Sequence, residues 1–137
     1  MSDPLEQHLS ALSGTSVDVK QVEVPDEHGQ ASVAFVFSDG TRLSACYWRV
    51  SRSDTVLSSF DHKQTYGLPS TIDAQKELRS LLAGAKVIST SIDRATGDLH
   101  LNFSGGWRLE VFGFSGYEVW EISFADGSSE YSNYVRR

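Results

Sequence analysis

The sequence predicts an α+β domain, mainly antiparallel β, built as two pseudo-repeated halves that each run from a helix into a β-meander. Three observations carry that prediction. First, strings recur in the same order. Leu12-Ser13-Gly14-Thr15-Ser16-Val17 matches Leu82-Ala83-Gly84-Ala85-Lys86-Val87, and Phe37-Ser38-Asp39-Gly40-Thr41-Arg42-Leu43 matches Phe103-Ser104-Gly105-Gly106-Trp107-Arg108-Leu109, at offsets of 70 and then 66 residues. A weaker match sets Val56 to Phe60 against Trp120 to Phe124 at an offset of 64. Second, an apolar stripe at helical spacing precedes the glycine in both halves. Third, one hairpin register gives both halves an apolar face.

The first helix opens at Asp3 as cap, with Pro4 where a missing N–H is harmless and Glu6 three residues after the cap; Leu5, Leu9 and Leu12 share one face and Gly14 ends it. Ser70 and Asp73 offer the same device to a second helix, whose Ala74, Leu78, Leu81 and Leu82 form the stripe before Gly84. Helices this short need a sheet to pack on. If Ser38-Asp39-Gly40 is a three-residue loop with its glycine left-handed, Phe37 faces Thr41, Phe35 faces Leu43 and Val33 faces Ala45. The same register sets Phe103 against Trp107, Leu101 against Leu109 and Leu99 against Val111, whereas a two-residue loop would put Leu101 against Glu110. A later strand alternates Trp120, Ile122 and Phe124 with polar residues and reaches the Ala125-Asp126-Gly127 turn, and Glu130 to Val135 is expected as an edge strand. One polar connection, 51–69, is expected to join the pseudo-repeats at about 1–60 and 70–124 within a single domain spanning 1–137.

Composition narrows the function classes. The chain has 137 residues, 39% hydrophobic and 22% charged, which is enough for one core. Its longest apolar run, Val33 to Phe37, is far too short to cross a membrane, and Met1-Ser2-Asp3-Pro4 lacks the basic-then-apolar order of a secretory signal, so a cytoplasmic location is expected. A net charge of −6 and pI near 5.1 argue against nucleic acid and anionic membranes as partners. Cys46 is the one cysteine, so no internal disulfide and no cysteine zinc cage can form, and mid-strand it is expected as a small buried hydrophobe.

No motif spells out a reaction, and neither metal nor cofactor is expected. His8, His28, His62 and His100 are never closer than 20 residues, so no short metal-binding pair exists. Gly113-Phe114-Ser115-Gly116-Tyr117 begins like a nucleophile elbow but ends on tyrosine and lacks the strand-turn-helix setting. Two stretches remain as candidate binding sites. The segment Ser58 to Pro69 brings Asp61, His62, Gln64 and Tyr66 together before a Gly and a Pro, either as a preformed recognition loop or as a crossover in which Asp61 and Gln64 bond backbone amides and Phe60, Tyr66 and Leu68 tack it to the core. As a recognition loop, it would tolerate alanine at Asp61, His62 and Gln64 without loss of stability. The second stretch is the strand face on which His100 stands opposite Glu110, and Asn102 opposite Arg108.

The strings Phe37 to Leu43, Asp61-His62-Lys63-Gln64 with Gly67-Leu68-Pro69, Ile72-Asp73-Ala74 and Gly116-Tyr117-Glu118-Val119-Trp120 resemble those of a family of small uncharacterised bacterial proteins. Some of that family lie near polymorphic toxin genes and are taken to be immunity proteins. The resemblance brings no catalytic residues. It implies a shared architecture and, through that genomic company, an immunity role. The net charge, the absence of a catalytic constellation and an aromatic content of 11% with three tryptophans point to a non-catalytic binding protein whose acidic surface complements a basic partner, as an inhibitor of a basic toxin would. Two alternatives stand beside it: a small-ligand-binding protein or enzyme using the Asp61-His62 loop against the His100, Arg108 and Glu110 face, and a structural subunit, such as a homodimer, that self-associates through strand edges.

Overall fold

A computed structural model describes residues 4–22, 31–93, 95–113 and 119–131. Asp3, the Ser115 turn and the stretch 132–135 of the expected edge strand lie outside those residues. Helix α1 (Pro4–Ser10) leads into strands β1 (Val17–Gln21), β2 (Val33–Phe37), β3 (Arg42–Ala45), β4 (Trp48–Arg52) and β5 (Thr55–Ser58). Helix α2 (Ala74–Leu82) leads into β6 (Val87–Ile92), β7 (Leu99–Phe103), β8 (Arg108–Val111), β9 (Trp120–Ser123) and β10 (Ser129–Tyr131). The fold is α+β and mainly antiparallel, and no described helix is long and apolar enough to cross a membrane.

Both hairpins take the register that their apolar faces demand. Phe35 pairs with Leu43 and Val33 with Ala45, while Leu101 pairs with Leu109 and Leu99 with Val111. Phe37 N–H donates to Thr41 O and Phe103 N–H to Trp107 O, both at 2.8 Å, closing equivalent loops. Gly40 and Gly106 have φ of 96° and 87°, a region that side chains avoid. Each loop then anchors to its own first strand: Ser38 N–H donates to Ser16 O at 2.9 Å and accepts from Ser16 N–H on its hydroxyl at 3.1 Å. Ser104 repeats both bonds with Lys86 at 2.8 and 2.9 Å. Ser16 and Lys86, equivalent residues of the two halves, also bridge directly, so the pseudo-symmetry relating the halves passes between them.

The halves exchange hairpins. One sheet runs β1-β2-β3-β9-β10 and the other β5-β4-β8-β7-β6, so the three-strand meander of each half is completed by the last two strands of the other. The joins are equivalent: Trp120 pairs with Ala45 and Ile122 with Leu43, as Trp48 pairs with Val111 and Val50 with Leu109. Helix packing is crossed as well, α1 against β6 and α2 against β1. The inner faces of both sheets and the helix stripes form one apolar cluster that includes Leu9, Leu12, Phe35, Trp48, Leu78, Leu82, Leu101 and Trp120.

Three expectations are corrected here. The weak match of Val56–Phe60 with Trp120–Phe124 is out of register, because sheet position equates β9 with β4, where Trp48-Arg49-Val50 repeats the inward-outward-inward order of Trp120-Glu121-Ile122. The connection begins at Ser59 and not at Ser51: residues 51–58 complete β4, turn at Ser53-Asp54 and run through β5, polar because one face meets solvent. Leu81 is only half-buried at the margin of the α2 stripe, whereas Asp73 caps that helix by accepting from Lys76 N–H.

Candidate functional site

The connection between β5 and α2 is a braced loop. A 3-10 turn, Ser59–Asp61, starts it with a capping box in which Ser58 Oγ accepts from Phe60 N–H at 3.2 Å and Asp61 Oδ2 from Ser58 N–H at 2.8 Å. The other carboxylate oxygen of Asp61 accepts from the Tyr66 hydroxyl at 2.9 Å, and this bond to a carboxylate holds the phenol above its ordinary pKa of 10.0. His62 Nδ1 accepts from Ala74 N–H, an amide of the first turn of α2 that has no acceptor within the helix. Backbone bonds from Lys63 N–H to Ile72 O and from Ile72 N–H to Gln64 O clamp the base of the loop. Buried Ser59 accepts from Trp48 N–H, tying the loop to β4.

Asp61 is therefore spent on a backbone amide and the Tyr66 hydroxyl, and His62 on a backbone amide, so the expectation that both can be replaced without loss of stability is corrected. The bracing holds Lys63 and Tyr66 at φ of 67° and 46°, left-handed positions unusual for residues with side chains. Beside the exposed Lys63, Gln64 and Thr65, the loop offers large apolar side chains outward. Phe60 is 62% exposed, Tyr66 66% and Leu68 54%, and Val56 on the adjoining edge strand is 58% exposed. The exposed aromatic residues do not tack the loop to the core; Phe60 has a ring neighbour, Tyr47, stacked at 5.5 Å, and Tyr66 has none among the described residues. Sequence reasoning passed over Val56, and its crossover reading turned Phe60 and Leu68 toward the core, where their exposure shows that they do not go. The signal for Val56 was the alternation of β5, in which Leu57 points inward.

The second candidate stretch forms a row across the outer face of the other members of this sheet. Ser58, Arg49, Glu110, His100 and Ser91 lie side by side in register. Arg49 donates twice to Glu110 Oε1, at 3.0 and 2.8 Å, and its guanidinium sits 5.3 Å from the centroid of Phe112. Arg108 donates to His100 Nδ1 at 3.2 Å, which makes that atom the acceptor and leaves its 3.9 Å approach to Glu110 as proximity alone. Asn102 donates to Ser89. Sequence reasoning paired Glu110 with His100 only, because Arg49 arrives from a strand whose place in the sheet depends on the hairpin exchange.

No hydrogen bond or ion pair among the described residues joins Asp61, His62, Gln64 or Tyr66 to His100, Arg108 or Glu110, so the two candidate stretches do not converge on one centre. Nor do the described residues contain a cluster of three or more His, Cys, Asp or Glu arranged to hold a metal ion. A concavity of about 150 Å³ lies on the opposite sheet, between the ends of β1, β3, β9 and β10, and contains none of these residues. No protein-family model, curated protein or solved structure matches this chain.

Proposed function

We propose that the protein acts without catalysis, by association with another protein, and that the contact is the braced loop with the adjoining β5 edge. The observation that carries this reading is the set of exposed apolar side chains at Val56, Phe60, Tyr66 and Leu68, mounted on a segment whose polar groups hold its shape. Exposed apolar side chains grouped in one region mark partner surfaces, and a loop ordered in advance loses little entropy on binding. The left-handed backbone at Lys63 and Tyr66 supports a functional role, since the hydrogen bonds that brace the loop also maintain that conformation. The net charge of −6 suits a basic partner, the character that a toxin bound by an immunity-type inhibitor would have.

Affinity capture from the source cells tests this reading. Wild-type protein should retain a basic protein that a folded V56S/F60S/L68S variant, which keeps the Tyr66–Asp61 brace, does not. Retention of the same proteins by both forms, or of none by either, would overturn it.

A further inference from the structure

The hairpin exchange builds one corner twice, with different contents. In the sheet holding β4 and β8, the corner is filled: Arg49 lies over Phe112 and donates to Glu110, and Tyr47 stacks on Phe60. Phe112 N–H donates to Tyr47 O at 3.0 Å, and Arg49 pairs with Glu110. In the other sheet, Cys46 N–H donates to Val119 O at 2.9 Å and Glu121 pairs with Ser44. Cys46 thus stands where its duplicate has Phe112, Val119 where it has Tyr47, Glu121 where it has Arg49 and Ser44 where it has Glu110.

At these positions the second corner lacks two aromatic rings and a cation and keeps a carboxylate, while Tyr131 stands where its duplicate has Ser58 and adds a ring to the rim. The concavity of about 150 Å³ lies at these positions, walled by Val22, Cys46, Val119, Trp120, Glu121 and Tyr131. The space is mainly apolar, open to solvent on one side, and about the volume that a benzene ring occupies in an enclosed cavity. Ser32 stands at its wall, 3% exposed, and its buried hydroxyl, like those of Thr41 and Thr90, has no hydrogen-bond partner. Glu121 makes no ion pair among the described residues.

We propose that this corner is a binding site for a small arylalkylamine, whose ring enters the concavity and whose ammonium reaches the Glu121 carboxylate. The ligand restores the ring, cation and carboxylate that Phe112, Arg49 and Glu110 supply from within the chain at the duplicate corner. The site lies on the opposite sheet from the braced loop and does not depend on association with a protein.

Protein-observed NMR titration with 2-phenylethylamine, 2-phenylethanol and 3-phenylpropionate tests the proposal. The amine should produce saturable shifts centred on Cys46, Val119 and Glu121, with 2-phenylethanol weaker and 3-phenylpropionate weakest. Cys46→Phe, which copies the filled corner, should keep or raise the melting temperature and weaken amine binding by about tenfold or more. Val119→Phe, which fills the space from another wall, takes its place if the first variant does not fold. Glu121→Gln should weaken amine binding about three- to fivefold and remove the preference over 2-phenylethanol. No saturable shift in the wild-type protein, shifts confined to other regions, or unchanged binding by the folded filled variant would overturn the site. Equal affinity for 3-phenylpropionate would overturn the role of Glu121.

Discussion

Trp48 and Trp120 perform the same task in opposite sheets. Each opens a strand that has crossed to the other half, and each indole N–H reaches a backbone carbonyl just ahead of the second meander strand, Ala31 O at 2.9 Å and Gly97 O at 2.8 Å. The indole of Trp48 therefore bonds its own half from within the partner sheet, and that of Trp120 does the same. Both side chains are buried. Trp48→Phe and Trp120→Phe should each cost about 1–3 kcal/mol, because a buried carbonyl loses its donor. Urea denaturation of the two variants checks the prediction, and similar losses from positions far apart in sequence are the expected result.

The braced loop divides by role. Asp61→Ala removes the capping-box acceptor and the bond from Tyr66, and should destabilise by about 0.5–2 kcal/mol. Gln64→Ala and Leu68→Ser touch exposed side chains and should stay within about 0.5 kcal/mol of the parent. Thermal unfolding of the three variants separates the residues that hold the loop from those it presents.

A pH dependence follows from the pair that ties α1 to the β9–β10 turn. His8 donates from Nε2 to Asp126 at 2.7 Å and from Nδ1 to Pro4 O at 2.8 Å, and its ring stacks on Phe124 at 4.7 Å. The bond to Asp126 raises the His8 pKa above 6.5, while bonds from Ser128 and then His8 lower that of Asp126 to about 2. Stabilisation by charged His8 is complete below pH 6.5 and is lost as pH rises through the higher folded value; that of ionised Asp126 is present above 3.8 and is lost as pH falls toward 2. The melting-temperature difference between the parent and Asp126→Asn should therefore peak between about pH 4 and 6.5 and shrink by pH 8. A difference that grows steadily with pH would contradict the pairing.

The sequence was most informative where the structure is local. Phe37 facing Thr41, and the burial of Leu101 with Leu109, followed from a short loop and strict alternation, which one hairpin settles by itself. The helix stripes at Leu5, Leu9 and Leu12 and at Ala74, Leu78 and Leu82 were legible for the same reason. The hairpin exchange was not, since Trp48 and Val50 fit an inner strand face whichever half they join, and only tertiary packing makes the choice. The candidate sites divide similarly. His100 opposite Glu110 came from hairpin register, but the use of Asp61 and His62 as backbone acceptors required knowing that β5 ends in a 3-10 turn beside the start of α2. The Cys46 corner became visible only by comparison with Phe112, its counterpart across the pseudo-symmetry.

Native-state hydrogen exchange in rising denaturant is the most direct measurement of whether the two halves form one interlocked unit. Each sheet contains strands from both halves, so neither half can open alone without stripping two strands from the sheet of the other. The slowest amides of β2, β4, β7 and β9 should converge on one opening free energy equal to that of global unfolding. Exchange of β2 and β4 through a separate, lower-energy opening while β7 and β9 stay protected would show two independent halves and contradict the exchanged architecture.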